Sequence, residues 1–463
     1  SLEQARKNLA KEIGRKSFDR IAREGKAVWD KNISRIRIES SEENKKIFYT
    51  AMQRIELLPR QFTEDGYHYS GFTDKVMPGL MYTDYSLWDT FRALHPLLVI
   101  LHPEKVNELI TGLLNSYDEG GWIPKWPSPG YSNIMTGTHG DAVIADAYVK
   151  GIRGYDVDKA LEAMMKNATK ASDGIYDARV GIEDYMKLGY VPTDKYKESC
   201  VRTMEFAYDD WCIAQVAKDM GKEDIYDMLM GRSKYYLNVL DPETRQIRGR
   251  NSDGTWRDPK DQAVSTWARG TDRDRETYYR NITFFVPHDV PGLLDFMGGK
   301  EELEKQLDEF FANDFYYVGD EFSMHSPYLY NFAGTPWKTQ KLIRELVKNK
   351  FNASLGGLPG NEDCGQLSAW YIFSAIGFYP FCPGLPIYQI GSPSFDKVSI
   401  DLGKGKKFEV IAENNSDENV YIQSAFLNGE PYFNSWISHE DVMAGGTLTL
   451  VMGSEPNTYW GLE

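Results

Sequence analysis

The stretch Ser86-Leu87-Trp88-Asp89-Thr90-Phe91-Arg92-Ala93-Leu94-His95-Pro96-Leu97-Leu98-Val99-Ile100-Leu101 decides the fold. Drawn as a helix, 86–101 is apolar on nearly every face. A helix of that kind is buried on all sides, the inner member of a layered assembly. Segment 157–170 keeps its apolar residues to one stripe, as an outer helix does. Further helices are expected at 42–57, 104–117, 140–153, 197–220, 222–238, 301–313, 337–348 and 364–376. Asp84 and Asp156 read as start signals. Inner helices alternating with outer ones predict a mainly α chain folded as an (α/α)6 barrel.

The rest of the chain fits around that barrel. At 463 residues it exceeds an ordinary single domain, but a helical barrel closes one core over several hundred residues. No short repeat indicates a solenoid. After residue 386 the texture changes to strands at 387–391, 397–402, 406–412, 419–427 and 447–452. The expected organisation is leading helices or a linker over 1–40, the catalytic barrel over 41–389, and a small antiparallel β appendage over 390–463. His439 and Asp441 read as turn residues within that appendage.

Composition narrows the function. A net charge of −15 repels phosphate backbones and argues against nucleic-acid partners. No apolar run approaches the roughly 18–20 residues that span a bilayer. Aromatic residues make up 13% of the chain, a content that suits stacking on sugar faces and equally suits filling a large core. Cys200, Cys212, Cys364 and Cys382 match no zinc spacing and read as small buried apolar residues. The chain opens on Ser1-Leu2, without a signal-peptide core, which reads as an internal or processed boundary.

Three carboxylate-bearing loops carry the candidate chemistry. Asp89 lies in an otherwise apolar helix start, three residues before Arg92; it is either a helix-terminus partner or a ligand for a sugar hydroxyl. Glu276 sits among Tyr278, Tyr279 and Phe284. Burial there would favour its protonated form and suit a general acid, while Arg275 and Arg280 offer a plain ion pair. Asp363, in Gly360-Asn361-Glu362-Asp363-Cys364-Gly365-Gln366, is either a helix cap or a carboxylate kept ionised for general base work. His139 with Asp141, Glu321 with His325, and Trp337 with Gln340 are also notable. No HExxH, P-loop, GxGxxG or GxSxG is present, and the seven His are dispersed.

Six segments together resemble glycoside hydrolase family 92, the calcium-dependent exo-α-mannosidases. They are 85–98 (YSLWDTFRALHPLL), 121–127 (GWIPKWP), 205–212 (EFAYDDWC), 285–292 (FVPHDVPG), 327–340 (PYLYNFAGTPWKTQ) and 360–370. The resemblance runs in the family's order through the β appendage. It implies an (α/α)6 barrel in which Ca2+ holds the 2- and 3-hydroxyls of a terminal mannose and helps distort its ring. It places the general acid on Glu276 and the general base on Asp363. Asp89 would hold the sugar ring, and Trp88, Arg92, Trp126, His139, Asp320, Glu321, His325, Trp337, Asn361 and Gln366 are the other substrate-binding candidates. The metal ligands stay unassigned.

The chain departs from the family pattern in places. Position 361, an assisting carboxylate in some members, is Asn361. Members often read EGNAWQY around the acid, where this chain has Glu276-Thr277-Tyr278-Tyr279-Arg280-Asn281-Ile282. Asp320-Glu321 replaces the His-Glu of α-1,2-cleaving members, at a position that faces the leaving sugar. The linkage expectation is thus α-1,2 first, with α-1,3, α-1,4 and α-1,6 open. Members usually carry an N-terminal β-sandwich that contributes to the site; it is not within these 463 residues. The implied partner is a mannose-containing glycan, an N-glycan or mannan fragment. The expected protein is a bacterial monomer or small homo-oligomer, periplasmic or extracellular, with the cytoplasm left open. The competing readings are another inverting (α/α)6 glycosidase, a phosphorylase, and a non-catalytic mannose-binding protein.

Overall fold

The computed structural model describes residues 1–462 apart from 173, 175 and 259–271, with residues 272–276 described as helix backbone. The expected helix 86–101 is two helices, Leu87–Thr90 and Leu94–Leu101, broken at Ala93 with φ −143° and ψ −40°. Pro96 is the cause. Its ring would strike the carbonyl of Arg92 and it has no N–H to donate, so it is tolerated only in the first turn of a new helix. The N–H groups of Ala93 and Leu94, freed by the break, both donate to the Gln366 side-chain oxygen, at 3.0 and 3.1 Å.

The remaining helices sort into two kinds. Leu94–Leu101, Ser199–Asp219 and Gln366–Ile376 are buried almost throughout, as is Gly140–Val149. Pro103–Gly120, Val157–Thr169, Lys300–Ala312 and Pro336–Lys350 bury one stripe each. Leu94–Leu101 touches Pro103–Gly120, Gly140–Val149 and Gln366–Ile376, so inner helices meet both each other and an outer partner. Asp156 caps Val157–Thr169 by accepting from Lys159 N at 3.0 Å, as expected. Asp84 caps nothing: its φ is +61°, and its carboxylate takes Arg60 Nη2 at 2.7 Å and Ser128 Oγ at 3.0 Å.

The C-terminal strands fall where their composition indicated, but Ile387–Ile390 pairs apart from the rest, with Phe378–Tyr379 and Trp436–Ser438, and the main sheet is mixed rather than antiparallel. Its order is Ile36–Glu39, Lys397–Gly403, Lys406–Glu413, Gly446–Gly453, Tyr421–Leu427, Glu430–Pro431. The last long strand inserts between its two predecessors, so Lys406–Glu413 and Gly446–Gly453 run parallel. Alternation of apolar residues reports which face is buried and not the order of insertion. At the other edge, Ile36–Glu39 pairs with Lys397–Gly403, so a leading segment closes the C-terminal sheet. One cluster of buried apolar side chains continues from Ile36 to Trp460. His439 begins a short helix, His439–Ala444, capped by Ser438. All four cysteines are free, Cys364 alone among them partly exposed. Among the described residues no helix is long and apolar enough to cross a membrane.

Candidate active site

Three loops at the ends of these helices bring Asp89, Glu321 and Asp363 together, one oxygen of each lying within 4.8 Å of the others. Each loop has its own local reason. Ser86, in the left-handed region at φ +40°, turns the chain into Leu87–Thr90. Its hydroxyl donates to Asp89 and accepts from the Trp126 indole N–H at 2.7 Å. Glu321 opens a single 3-10 turn, Glu321–Ser323, whose cap is Asp320. Asp363, Cys364 and Gly365 take φ values of +47°, +60° and +99° in succession. Two non-glycine residues in that region store backbone strain, of a kind that clusters at functional sites.

The cap role weighed for Asp363 belongs to its neighbour. Gln366–Ile376 begins after Gly365, and it is Glu362 that accepts from Ser368 N and Oγ, at 3.2 and 2.9 Å. Asp363 is left partly exposed at the edge of the cluster, while Asp89 and Glu321 are buried.

Burial sets the electrostatics. It pushes the Glu321 carboxyl up to about 9, aided by a hydrogen bond to Asp363 and the charges of Asp89 and Asp363. Burial likewise lifts Asp89 to about 7, against the Ser86 hydrogen bond and with the charge of Asp363 adding to the rise. Arg92 lies close enough to stabilise both, yet its own pKa is lowered by complete burial. Its guanidinium sits 4.5–5.3 Å from the ring centroids of Phe91, Phe285, Trp88 and Phe322. Three crowded carboxylates with so little compensating charge suit a hard divalent cation, which takes oxygen ligands and favours the ionised forms.

Under this cluster lies a second polar layer. Trp88 Nε1 donates to Glu205 Oε1 at 2.6 Å. His139 stacks on Phe91 with ring centroids 4.3 Å apart and donates from Nδ1 to Asp209 Oδ1 at 2.8 Å. Burial works to lower the His139 pKa, but Asp209 and Glu205 raise it to about 9, so the ring is a cation. Arg179 bonds Asp141, Asp210 and the Thr138 hydroxyl, which fixes the end of the 121–139 loop.

The other expected site residues are dispersed among these layers. Gln366 is fully buried, its oxygen bracing the Ala93 break and its Nε2 meeting Met324 Sδ at 3.2 Å. His325 donates to Phe284 O at 2.8 Å, and burial lowers its pKa to about 4, so it is neutral. Asp320 spends one carboxylate oxygen on Asn281 and the other on Phe322 N. Asn361 is exposed on the Asp363 loop. Trp337 opens Pro336–Lys350, a helix packed on the strand Tyr421–Leu427. Glu276 falls within the helix Asp272–Thr283, but its side chain lies outside the described residues.

Sequence reasoning missed Ser86, Glu205 and Asp209 as site-building residues. The signal was available for two of them: acids inside an otherwise buried helix must find partners, and Ser199–Asp219 carries Glu205, Asp209 and Asp210.

The chain matches the profile of the glycosyl hydrolase family 92 catalytic domain over residues 4–454. It belongs to glycosyl hydrolase family 92. An uncharacterised secreted glycosidase of Arthroderma benhamiae is 30% identical, over 99% of the family 92 chain and 60% of that protein. Among solved structures, an inverting mannosidase of the family from Bacteroides thetaiotaomicron is 36% identical with a TM-score of 0.92, over 100% of this chain and 66% of that one. A family α-mannosidase from the same organism is 35% identical with a TM-score of 0.93, over 100% and 62%. The latter has also been solved in complex with mannoimidazole. The family 92 chain therefore spans between 60% and 66% of the length of these relatives.

Proposed function

We propose that the protein is an exo-acting α-mannosidase that hydrolyses terminal α-linked mannose with inversion, on an (α/α)6 barrel. The observation that carries this reading is the convergence of Asp89, Glu321 and Asp363 on three separate loops, in a chain of this family. Relatives described as an inverting mannosidase and an α-mannosidase match it over its whole length.

In this reading Glu276 protonates the glycosidic oxygen as the C1–O bond breaks. Asp363 removes a proton from the water that attacks C1 on the opposite face. The sugar leaves as β-mannose, with one water consumed. Partial exposure and freedom from a capping role suit Asp363 to meeting that water. An inverting pair needs about 6.5–9.5 Å between carboxyls to admit the water. Asp89, oriented by Ser86 and Trp126, would hold the sugar ring.

Calcium fits the donor set. Asp89 and Glu321, the two buried members of the cluster, would hold it, leaving Asp363 to act as base. When bound, the cation would supply positive charge to the oxygens of two sugar hydroxyls and so help hold the ring in a distorted shape. The substrate would be an N-glycan or mannan fragment, met outside the cytoplasm, with α-1,2 linkages placed first.

The test is a panel of α-mannobiosides followed by NMR. Release of mannose with the β-anomer appearing first is expected. Initial α-mannose would overturn inversion, and phosphate-dependent release of mannose 1-phosphate would make the protein a phosphorylase.

A further inference from the structure

We propose that Asn281 and Asp320 form a clamp that positions the general acid, a role that rests on the reading of Glu276 above. Asn281 Nδ2 donates to Asp320 Oδ2 at 2.6 Å, and Asn281 is fully buried. Asn281 stands near the end of Asp272–Thr283, the helix that also carries Glu276. The two are five residues apart, about 7.5 Å along a helix axis. Asp320 is the cap of the turn Glu321–Ser323, because its Oδ1 accepts from Phe322 N at 3.2 Å. This hydrogen bond thus ties the helix of the proposed acid to the turn that delivers Glu321 to the carboxylate cluster.

The stoichiometry of that bond matters. Asp320 has two oxygens, and each already has a partner, one on the helix and one on its own turn. Asp320 is therefore tied to both sides, as a positioning residue between the acid side and the base side of the site. An inverting enzyme must hold its two carboxyls far enough apart for one water, and a misplacement of about 1 Å can cost about 10²-fold in rate. A charge-assisted bond between buried partners is short and directional, which suits it to fixing that spacing.

The pair can be exchanged without losing a bond. In the double variant N281D/D320N the residue-320 amide would still accept from Phe322 N, and would donate to the carboxylate now on the helix. The single variant N281D breaks the match by setting two carboxylates face to face; D320N keeps only a neutral bond, made with the Asn281 amide turned over so that its unpartnered Oδ1 accepts from the residue-320 amide.

The experiment measures kcat and KM for all three in the full-length protein with calcium, on an α-mannobioside and on an aryl α-mannoside with a good leaving group. Thermal unfolding is recorded alongside. N281D should lose about 10²-fold in kcat on the disaccharide, and D320N, which loses the charge but keeps a bond, a smaller part of that. KM should change little, the aryl substrate should lose far less, and the exchange should recover most of the disaccharide rate. Equal losses on both substrates, or an exchange that folds with wild-type stability yet recovers nothing, overturns the clamp. Should N281D fail to fold, D320N and the exchange carry the same comparison. Glu276→Gln is the control: if it slows both substrates alike, the acid assignment itself falls, and the clamp with it.

Discussion

The side-chain oxygen of Gln366 accepts the backbone N–H of Leu94 at 3.1 Å, across a helix break that Pro96 makes unavoidable. The same oxygen takes the N–H of Ala93. This one residue supplies the acceptor that two buried donors lost, and it starts the helix that follows the Asp363 loop. Gln366→Leu removes the acceptor at similar volume. A loss of about 1–3 kcal/mol for each unmet donor is expected, read by urea denaturation. An unchanged midpoint would mean that the break is held by packing alone.

The indole of Trp88 and the imidazole of His139 share the Glu205 carboxylate, at 2.6 and 3.6 Å. Glu205 is also the largest electrostatic support of the buried Arg92. Glu205→Leu leaves two buried cations short of a counter-charge, so a loss of about 3–5 kcal/mol is expected. Glu205→Gln should cost less, because its amide oxygen can still accept from Trp88. Equal stability of the two variants, by thermal unfolding, would show that charge compensation at this position is immaterial.

His139 gives stability a direction with pH. Its pKa in the fold is raised to about 9, from about 6.5 in an unfolded chain. A raised pKa on a cationic group favours the fold fully below about pH 6.5, and the benefit disappears as pH climbs through about 9. Wild-type stability should therefore fall between those values, and His139→Gln should flatten that window. Parallel pH curves for the two proteins would assign the decline to other groups.

Much of the fold was legible, and the reasons differ by element. The all-apolar stretch at 86–101 announced an inner helix because burial is written in composition; its break was equally written, in Pro96, but an apolar pattern conceals it. The parallel pairing of Lys406–Glu413 with Gly446–Gly453 left no local trace, since the order of strands depends on contacts distant in sequence. For the site, Asp89, Glu321 and Asp363 were flagged separately by residue type, but nothing local indicated that they meet. The partners of Glu205 and Asp320 were likewise invisible, because they come from helices and turns far along the chain.

Calcium removal should abolish hydrolysis and leave the helices intact. Asp89 and Glu321 are raised to about 7 and about 9 without a cation, and their chain neighbours Trp88 and Phe322 belong to the continuous apolar core, which keeps its packing. Exhaustive chelation followed by activity and far-ultraviolet circular dichroism reads both halves of the expectation. Asp89→Asn and Glu321→Gln should each raise the calcium concentration needed for half-maximal rate. Full activity after chelation, with no metal detected in the protein, would exclude a catalytic cation.

The acid and the base should differ under mutation in a way that separates hydrolysis from mere sugar binding. Glu276→Gln removes a proton donor but keeps shape and much of the hydrogen bonding. A good leaving group needs little protonation, so aryl mannosides should keep most of their rate. Disaccharides should lose the general-acid contribution, typically about 10²–10⁴-fold. Asp363→Asn should slow both substrates alike, because water must be activated in either case. Asp363 caps no helix, so this variant should also unfold near the wild-type temperature, whereas Glu362→Gln, which weakens the link to Ser368, should not. Mannose affinity should survive all three changes within a few-fold. If Asp363→Asn hydrolysed disaccharides at close to the wild-type rate, the base would have to be sought elsewhere in the cluster, with Asp89 and Glu321 the residues to substitute next.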